Sequence, residues 1–257
     1  MILDGRKLAA EILARTKERA SHLPSPPKVV AIIGEETAAT KSYLKIKEAR
    51  AADAGCIFEA RTLGADYSDA DAVIIQLPLP EGMDAKILCD SIPLEKDADV
   101  LSTLARMKFE ADEPDALIPP VAGVVAEILK SAGVDPRVKK AVVIGNGWLV
   151  GKPCAAMLAH LGADVSHVTL ESGDLSILKD ADIIVSGAGS PHLIKPEMIK
   201  EGVVLIDAGT SESSGKLVGD ADPACAEKCL LFTPVPGGVG PIAVAKLFEN
   251  AVALARP

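Results

Sequence analysis

Aromatic side chains are scarce in this chain of 257 residues: one tryptophan (Trp148), two tyrosines and four phenylalanines. A buried core must therefore be packed from Ala, Val, Ile and Leu. Basic residues are outnumbered, and the formal net charge is −9. That excess gives no electrostatic support for a nucleic-acid partner or an anionic membrane surface. Cysteine is sparse and odd in number: Cys56, Cys89, Cys154, Cys225 and Cys229 are scattered. This argues against a disulfide framework and for free thiols in a reducing compartment. Cys225 and Cys229 sit four apart, as on one helical face, but no second pair or histidine completes a metal site. No run of about 18 apolar residues is present, and Met1 to Arg6 already mix polar and apolar types. The expectation is a cytoplasmic protein without a bound metal.

What is present is ample apolar material, 49% of the residues, arranged in an alternating rhythm. Val29–Ile33, Val73–Leu77, Ala141–Gly145, Ile183–Ser186 and Val203–Asp207 read as buried parallel strands. Helix-length stretches lie between them: Thr37–Ala54, Val124–Ala132, Lys152–Leu161 and Pro196–Glu201. This βαβ pattern predicts an α/β fold, doubly wound. The rhythm breaks in Phe109–Pro120, which predicts two α/β domains. The first spans 1–119, with a carboxyl-terminal helix over 241–257 packing back on it. The second spans 120–240. A cleft between two such domains is a usual place for a small-molecule site.

Several segments carry chemistry. Thr233-Pro234-Val235-Pro236-Gly237-Gly238-Val239-Gly240-Pro241 combines three prolines and three glycines. Neither helix nor sheet runs through it, and it presents backbone to a flat or phosphorylated partner; a stiff connecting loop is the plainer alternative. The strand Ala141–Ile144 leads into Gly145-Asn146-Gly147-Trp148-Leu149-Val150-Gly151 and then a helix. This is one residue longer than the usual dinucleotide fingerprint, but it shares its physics: a glycine turn and a helix N-terminus facing a pyrophosphate. A packing turn is the competing explanation. Glu171 follows a further strand, Ala163–Thr169, where an acidic group can accept from a ribose 2′-hydroxyl and repel a 2′-phosphate. Tyr43 and Lys47 share one helical face at i and i+4. A lysine partly withdrawn from water can serve in proton transfer, although an exposed lysine is the commoner case. Gln76 closes an apolar strand just before Leu77-Pro78-Leu79-Pro80, at the carboxyl end where α/β ligands sit. Asp97 and Asp99 point oppositely if extended, and one of them, buried, could accept two N–H bonds from a heterocycle.

In order, these segments resemble the bifunctional methylenetetrahydrofolate dehydrogenase/methenyltetrahydrofolate cyclohydrolase family. The likeness runs nearly end to end: Ile2-Leu3-Asp4-Gly5, Tyr43-x-x-x-Lys47, Gln76-Leu77-Pro78-Leu79-Pro80, Lys96-Asp97-Ala98-Asp99, Val150-Gly151-Lys152-Pro153, Ala181–Ser186 and Thr233–Pro241. The resemblance implies a Rossmann-like NAD(P)-binding second domain and tetrahydrofolate derivatives as substrates. The implied reactions are oxidation of 5,10-methylenetetrahydrofolate and hydrolysis of the methenyl product to 10-formyltetrahydrofolate. It implies Lys47 as the cyclohydrolase lysine, Gln76 as its partner, Tyr43 packing on the folate rings and Asp99 recognising the pterin. Pro236, Gly237 and Gly238 would border substrate. Gly145, Asn146, Gly147, Val150, Gly151, Glu171, Gly187 and Ala188 would border the cofactor. A homodimer is implied as well.

The departures from the family pattern are specific. Gly-Arg-Ser in the cofactor turn is here Gly145-Asn146-Gly147, and His-Ser-x-Thr is Thr169-Leu170-Glu171-Ser172. The family implies NADP; the missing arginine and Glu171 make NAD plausible. A Pro-Cys-Thr-Pro segment is replaced near Pro119–Ala122, the glycine after Asp-x-Asp is Val100, and a helix between Arg61 and Val73 is lost. These departures keep three alternatives open. One is a cyclohydrolase with a weakened dehydrogenase, another is a non-catalytic folate- or nucleotide-binding relative, and the third is a shikimate- or amino-acid-type dehydrogenase.

Overall fold

The computed structural model describes residues 1–35, 37–171, 174–213 and 215–255. Ser172 and residues 256 and 257 of the expected last helical segment lie outside the described residues. The elements run α1 (Gly5–Ala20), β1 (Lys28–Ile33), α2 (Ala38–Ala54), β2 (Ile57–Thr62), β3 (Ala72–Gln76), α3 (Ala85–Asp90), α4 (Thr103–Glu110) and α5 (Pro120–Ser131). They continue with β4 (Lys140–Ile144), α6 (Gly151–His160), β5 (Asp164–Val168), β6 (Ile183–Ser186), β7 (Val204–Asp207), β8 (Ser211–Ser213), β9 (Lys216–Val218), β10 (Leu231–Phe232) and α7 (Val239–Leu254). The chain is α/β and forms two compact units. One contains Ala9–Pro120 with the chain from Val244 onward; the other contains Met1–Leu8 with Val121–Ala243.

In the first unit, three parallel strands lie in the order β2-β1-β3. β1 and β3 are buried almost throughout, which explains their unbroken apolar runs. β2 is an edge strand with half-exposed positions and carries Glu59 and Arg61, so apolar runs alone do not reveal it. Strands β2 and β3 flank β1 on opposite sides, yet only residues 63–71 connect them. Parallel strands usually need a crossover of a dozen or more residues, often a helix. Here a polar clamp does that work. Lys28 N–H donates to Asp71 (2.7 Å), Lys28 Nζ to Asp69 (2.8 Å), and the Arg61 guanidinium to Asp69 (2.7 Å) and Asp66 O (2.7 Å).

α2 is set by its ends. Thr37 Oγ1 accepts from Thr40 N–H (3.1 Å), and Gly55 closes the helix at φ +77°, a conformation that glycine adopts freely. α7 buries Phe248, Ala251 and Val252, and Phe248 meets Phe58 edge to face at 6.4 Å. Its buried Asn250 donates through Nδ2 to Ala98 O and Ile118 O, both at 2.9 Å.

The second unit is a five-stranded parallel sheet, β10-β7-β6-β4-β5, with a β8–β9 hairpin outside it. Chain order reverses around β4: β5 lies on one side, β6 and β7 on the other. The carboxyl ends of β4 and β6 therefore flank a topological switch point, the usual ligand position of an open α/β sheet. The segment Pro196–Glu201, expected as a helix, is only a three-residue 3₁₀ turn, Pro196–Met198. Ile199 is extended (φ −119°, ψ 153°) and buried with Ile194 and Val203 in the core, which pulls the backbone out of helical geometry. Burial pushes the thiols of Cys56, Cys89, Cys154 and Cys229 up to about 12, as unreactive core residues.

Replacing Asn250 by alanine leaves two carbonyls without their donor. Asn250→Ala is expected to destabilise the protein by about 2–4 kcal/mol. Urea unfolding would register this as a lower midpoint at unchanged slope, and a midpoint equal to the parent's would contradict it.

Candidate functional site

In the first unit, β3 ends at Gln76, beside the carboxyl end of β1 at the point where strand order reverses. Gln76 is 8% exposed. Its amide is oriented from both ends: Nε2 donates to Leu77 O (2.7 Å), and Oε1 accepts from Lys47 Nζ (2.9 Å). The first bond fixes which face of the amide is the acceptor, so the lysine amine is aimed as well as held. The following residues are tightly fitted. Leu77–Pro78 is cis, and a Cβ on Gly34 would lie 2.4 Å from Pro80 Cδ. Tyr43 stands one turn before Lys47 on α2 and is 55% exposed.

The two aspartates divide their roles. Asp97 is buried, and its carboxylate accepts from Leu101 N–H (3.1 Å) and Ser102 N–H (2.8 Å). It is spent on the entry to α4. Asp99 is half-buried and lies in the field of Lys47. Burial holds Lys47 below the ordinary lysine value, while the Asp99 charge favours its ammonium form. Burial likewise raises Asp99, opposed by Lys47 and Arg106 and reinforced by Asp97. Burial pushes both groups toward their neutral forms while the charge of each opposes that in the other, an arrangement found where side chains exchange protons. Val100 next to it sits at φ +55°, where a β-branched residue is strained by about 1–3 kcal/mol. Its side chain is fully buried, a gain of about 1.5–3 kcal/mol. The two effects offset, which explains how valine is tolerated there.

In the second unit, β4 ends at Ile144, because Gly145 turns at φ +98°. A Cβ on Gly151 would lie 1.9 Å from Gly145 O, one on Gly145 2.6 Å from Gly187 O, and one on Gly187 2.4 Å from Val150 Cγ1. Gly145 and Gly151 are thus required by close backbone packing and Gly187 by the Val150 side chain, and the three seat the turn against the loop after β6 that holds Ala188. Gly147 differs: a Cβ there would meet nothing within 4 Å. Asn146 and Gly147 are exposed and lead into α6, whose N-terminus begins at Gly151. His167 on β5 reaches under the turn, and its Nε2–H donates to Gly145 O (2.6 Å). Glu171 is exposed, just past the end of β5. A tight glycine turn at a switch point, with open space over its middle glycine and a helix N-terminus behind it, fits a dinucleotide pyrophosphate.

The Pro/Gly loop belongs to the same unit. Val235–Pro236 is cis, and Gly237 has φ +103°. A Cβ on Gly5 would come 2.0 Å from Gly238 O and 2.5 Å from Gly237 O, so the Ile2–Gly5 segment is shaped to lie against this loop. Leu3 N–H donates to Phe232 O (2.8 Å). At the loop's first residue, Asp207 N–H donates to Thr233 Oγ1 (2.7 Å). The buried Asp207 carboxylate accepts from Gly209, Asp220 and Ala221 N–H groups at 2.8–3.1 Å. Burial pushes Asp207 up to about 6 against the pull of those bonds. Sequence reasoning missed Asp207, Asp220 and Gly5 as organisers, because lone aspartates after apolar strands carry no local signal.

Together these features define an α/β enzyme with a dinucleotide-type turn in one unit and an oriented lysine–amide pair in the other. The model of the tetrahydrofolate dehydrogenase/cyclohydrolase catalytic domain matches residues 3–99, and that of its NAD(P)-binding domain matches residues 119–257. A bifunctional protein FolD of Moorella thermoacetica is 37% identical over 99% of this chain and 98% of its own length. The crystal structure of the bifunctional FolD dehydrogenase/cyclohydrolase from Campylobacter jejuni superposes with a TM-score of 0.94 at 30% identity, covering 99% of this chain and 98% of that one. The Trypanosoma brucei enzyme, solved with NADP and an inhibitor, gives 0.91 at 30% identity over 99% and 96%. The chain belongs to the tetrahydrofolate dehydrogenase/cyclohydrolase family.

The electrostatics of the lysine can be tested directly. By lysine Nζ NMR titration, Lys47 is expected to lose its proton at a pH below 10.5. In Asp99→Asn the midpoint should fall further, because removing a negative charge removes support for the ammonium form. An upward shift in the variant would reverse the assigned sign.

Proposed function

We propose that this chain oxidises 5,10-methylenetetrahydrofolate with NAD(P) and hydrolyses the resulting methenyl cation to 10-formyltetrahydrofolate. The observation that carries the reading is the Lys47 amine, lowered by burial and aimed by Gln76, within a family match that spans both units. In this reading residues 1–119 with 241–257 hold the folate, and 120–240 hold the dinucleotide. Tyr43 offers a ring face to the pterin system, and Asp99 accepts N–H bonds from the pterin edge. Pro236, Gly237 and Gly238 border the substrate.

The hydrolytic half follows from proton management. Water adds to the methenyl carbon, whose positive charge is shared by two nitrogens. Lys47, whose free-amine form burial favours, takes one proton from that water. As the tetrahedral adduct collapses, the bond from the carbon to N5 breaks and Lys47 returns its proton to N5. The remaining hydroxyl proton leaves to solvent as the formyl carbonyl forms. Gln76 keeps the amine directed through both transfers. In the oxidative half, a bound nicotinamide supplies the hydride acceptor. The protein's part there is to hold the dinucleotide on the turn Gly145, Asn146, Gly147, Val150 and Gly151, with Gly187 and Ala188 beside it.

Asn146 and Gly147 offer no cation to a 2′-phosphate, and the Glu171 carboxylate repels one. NAD is therefore served at least as well as NADP. A homodimer is carried over from the family resemblance, and light scattering reads it directly.

Two outcomes are expected. Lys47→Met should reduce methenyl hydrolysis by about 10²–10⁴-fold with an unchanged circular dichroism spectrum; near-parental hydrolysis would remove Lys47 from the chemistry. In dehydrogenase assays, NADP should show no large advantage over NAD in kcat/KM, and Glu171→Ala should raise NADP use relative to NAD. A strong NADP preference in the parent protein would overturn the cofactor assignment. Hydrolysis in a parent with no oxidation by either dinucleotide would support the reading in which the altered turn has weakened the dehydrogenase.

A further inference from the structure

The loop after β6 is organised around a carboxylate from elsewhere in its unit. Asp220 is fully buried. Its Oδ2 accepts from Ser186 Oγ (2.7 Å), Ala188 N–H (2.7 Å) and Gly189 N–H (3.3 Å), and its Oδ1 accepts from Ser190 N–H (2.8 Å). Three successive backbone amides converging on one anion form the concavity that other proteins offer to phosphate; here the protein's own side chain fills it. The remaining amide of the loop, Gly187 N–H, donates to Ile144 O (2.9 Å). Every N–H from 187 to 190 is therefore turned inward.

Peptide planarity fixes what faces the other way. In a trans peptide the carbonyl of one residue points opposite to the N–H of the next. The carbonyls of Gly187, Ala188 and Gly189 must point away from Asp220. That of Gly187 lies against Gly145 of the glycine turn, which has no Cβ to obstruct it. The loop is therefore seated at the β4/β6 switch point beside the turn. Its outward-facing backbone groups are acceptors, not donors.

We infer that Asp220 is a positioning residue for cofactor binding: by drawing in the N–H groups of 188–190 it presents the Ala188 and Gly189 carbonyls to a hydroxyl or amide donor of the dinucleotide. The phosphates are left to the donor-rich turn and α6 N-terminus, so the two walls of the switch point divide the ligand by hydrogen-bond sense. The arrangement tolerates no bulkier side chain around it. A Cβ on Gly209 would sit 2.2 Å from the Asp220 carboxyl carbon, and one on Gly219 2.1 Å from Asp207 Oδ2.

This inference rests on the dehydrogenase reading, and the experiment separates the two. The parent is assayed first with NAD and with NADP. No oxidation with either would sink the dehydrogenase reading itself. With an active parent, Asp220→Asn replaces one carboxylate oxygen by an N–H donor that faces loop N–H groups. The KM for dinucleotide should rise about tenfold or more, while kcat at saturating dinucleotide stays within about twofold. A loss of general stability alone would not split KM from kcat in this way. An unchanged KM, or a fall in kcat at unchanged KM, would overturn the assignment. If Asp220→Asn does not fold, Ser186→Ala decides: it removes the hydroxyl that orients Asp220 Oδ2, so the carboxylate no longer holds the loop amides in one arrangement. A severalfold rise in KM at steady kcat supports the role, and an unchanged KM overturns it.

Discussion

Carboxylates bonded to backbone amides, buried at Asp97, Asp207 and Asp220 and half-buried at Asp71 and Asp182, hold the working parts of this protein. A parallel sheet ends in loops whose peptide groups lie near the core yet outside the strand ladders, and each must find a partner or cost free energy. The chain answers with aspartates. Asp97 takes the amides that lead into α4, Asp71 takes the first amide of β1, and Asp182 takes that of β4 (2.9 Å). Asp207 and Asp220 work in series, because the amide of Asp220 is itself held by Asp207. A charged acceptor forms stronger bonds than a neutral one, so a loop fixed in this way keeps its shape without a large apolar contact. That suits a chain with few aromatic side chains to spend.

The same device explains how two neighbouring aspartates differ. Asp97 and Asp99 are alike in composition and spacing, but one is consumed by the fold and the other is left to the site. Charge count alone does not distinguish them. The backbone path does: Asp97 points into the α4 entry, while the left-handed turn at Val100 follows Asp99. Strain accepted at a buried valine next to a site residue is a compromise between shape and packing.

Much of the layout was legible in the sequence because it is written in apolar runs. The strands β1, β3, β4, β6 and β7 are buried on both faces, and continuous Val/Ile runs announce such strands. Lys47 and Gln76 came together as the i, i+4 face and the strand-end amide suggested. What escaped was polar or distant. β2 alternates half-exposed residues and so resembles a loop. Pro196–Glu201 has helix-like composition, yet its one isoleucine, Ile199, is buried in the core and extended. Asp207, Asp220 and Gly5 act through contacts tens to hundreds of residues away in sequence, and no local pattern marks them.

Trp148, the chain's single tryptophan, lies in the turn between Gly147 and Val150, inside one of the two units. The other unit has none. Emission excited selectively at tryptophan, apart from that of Tyr43 and Tyr67 in the other unit, is therefore a local signal: it senses solvent and neighbours around one glycine turn and is silent about the lysine half. A spectroscopist following that light alone would be watching half of the protein.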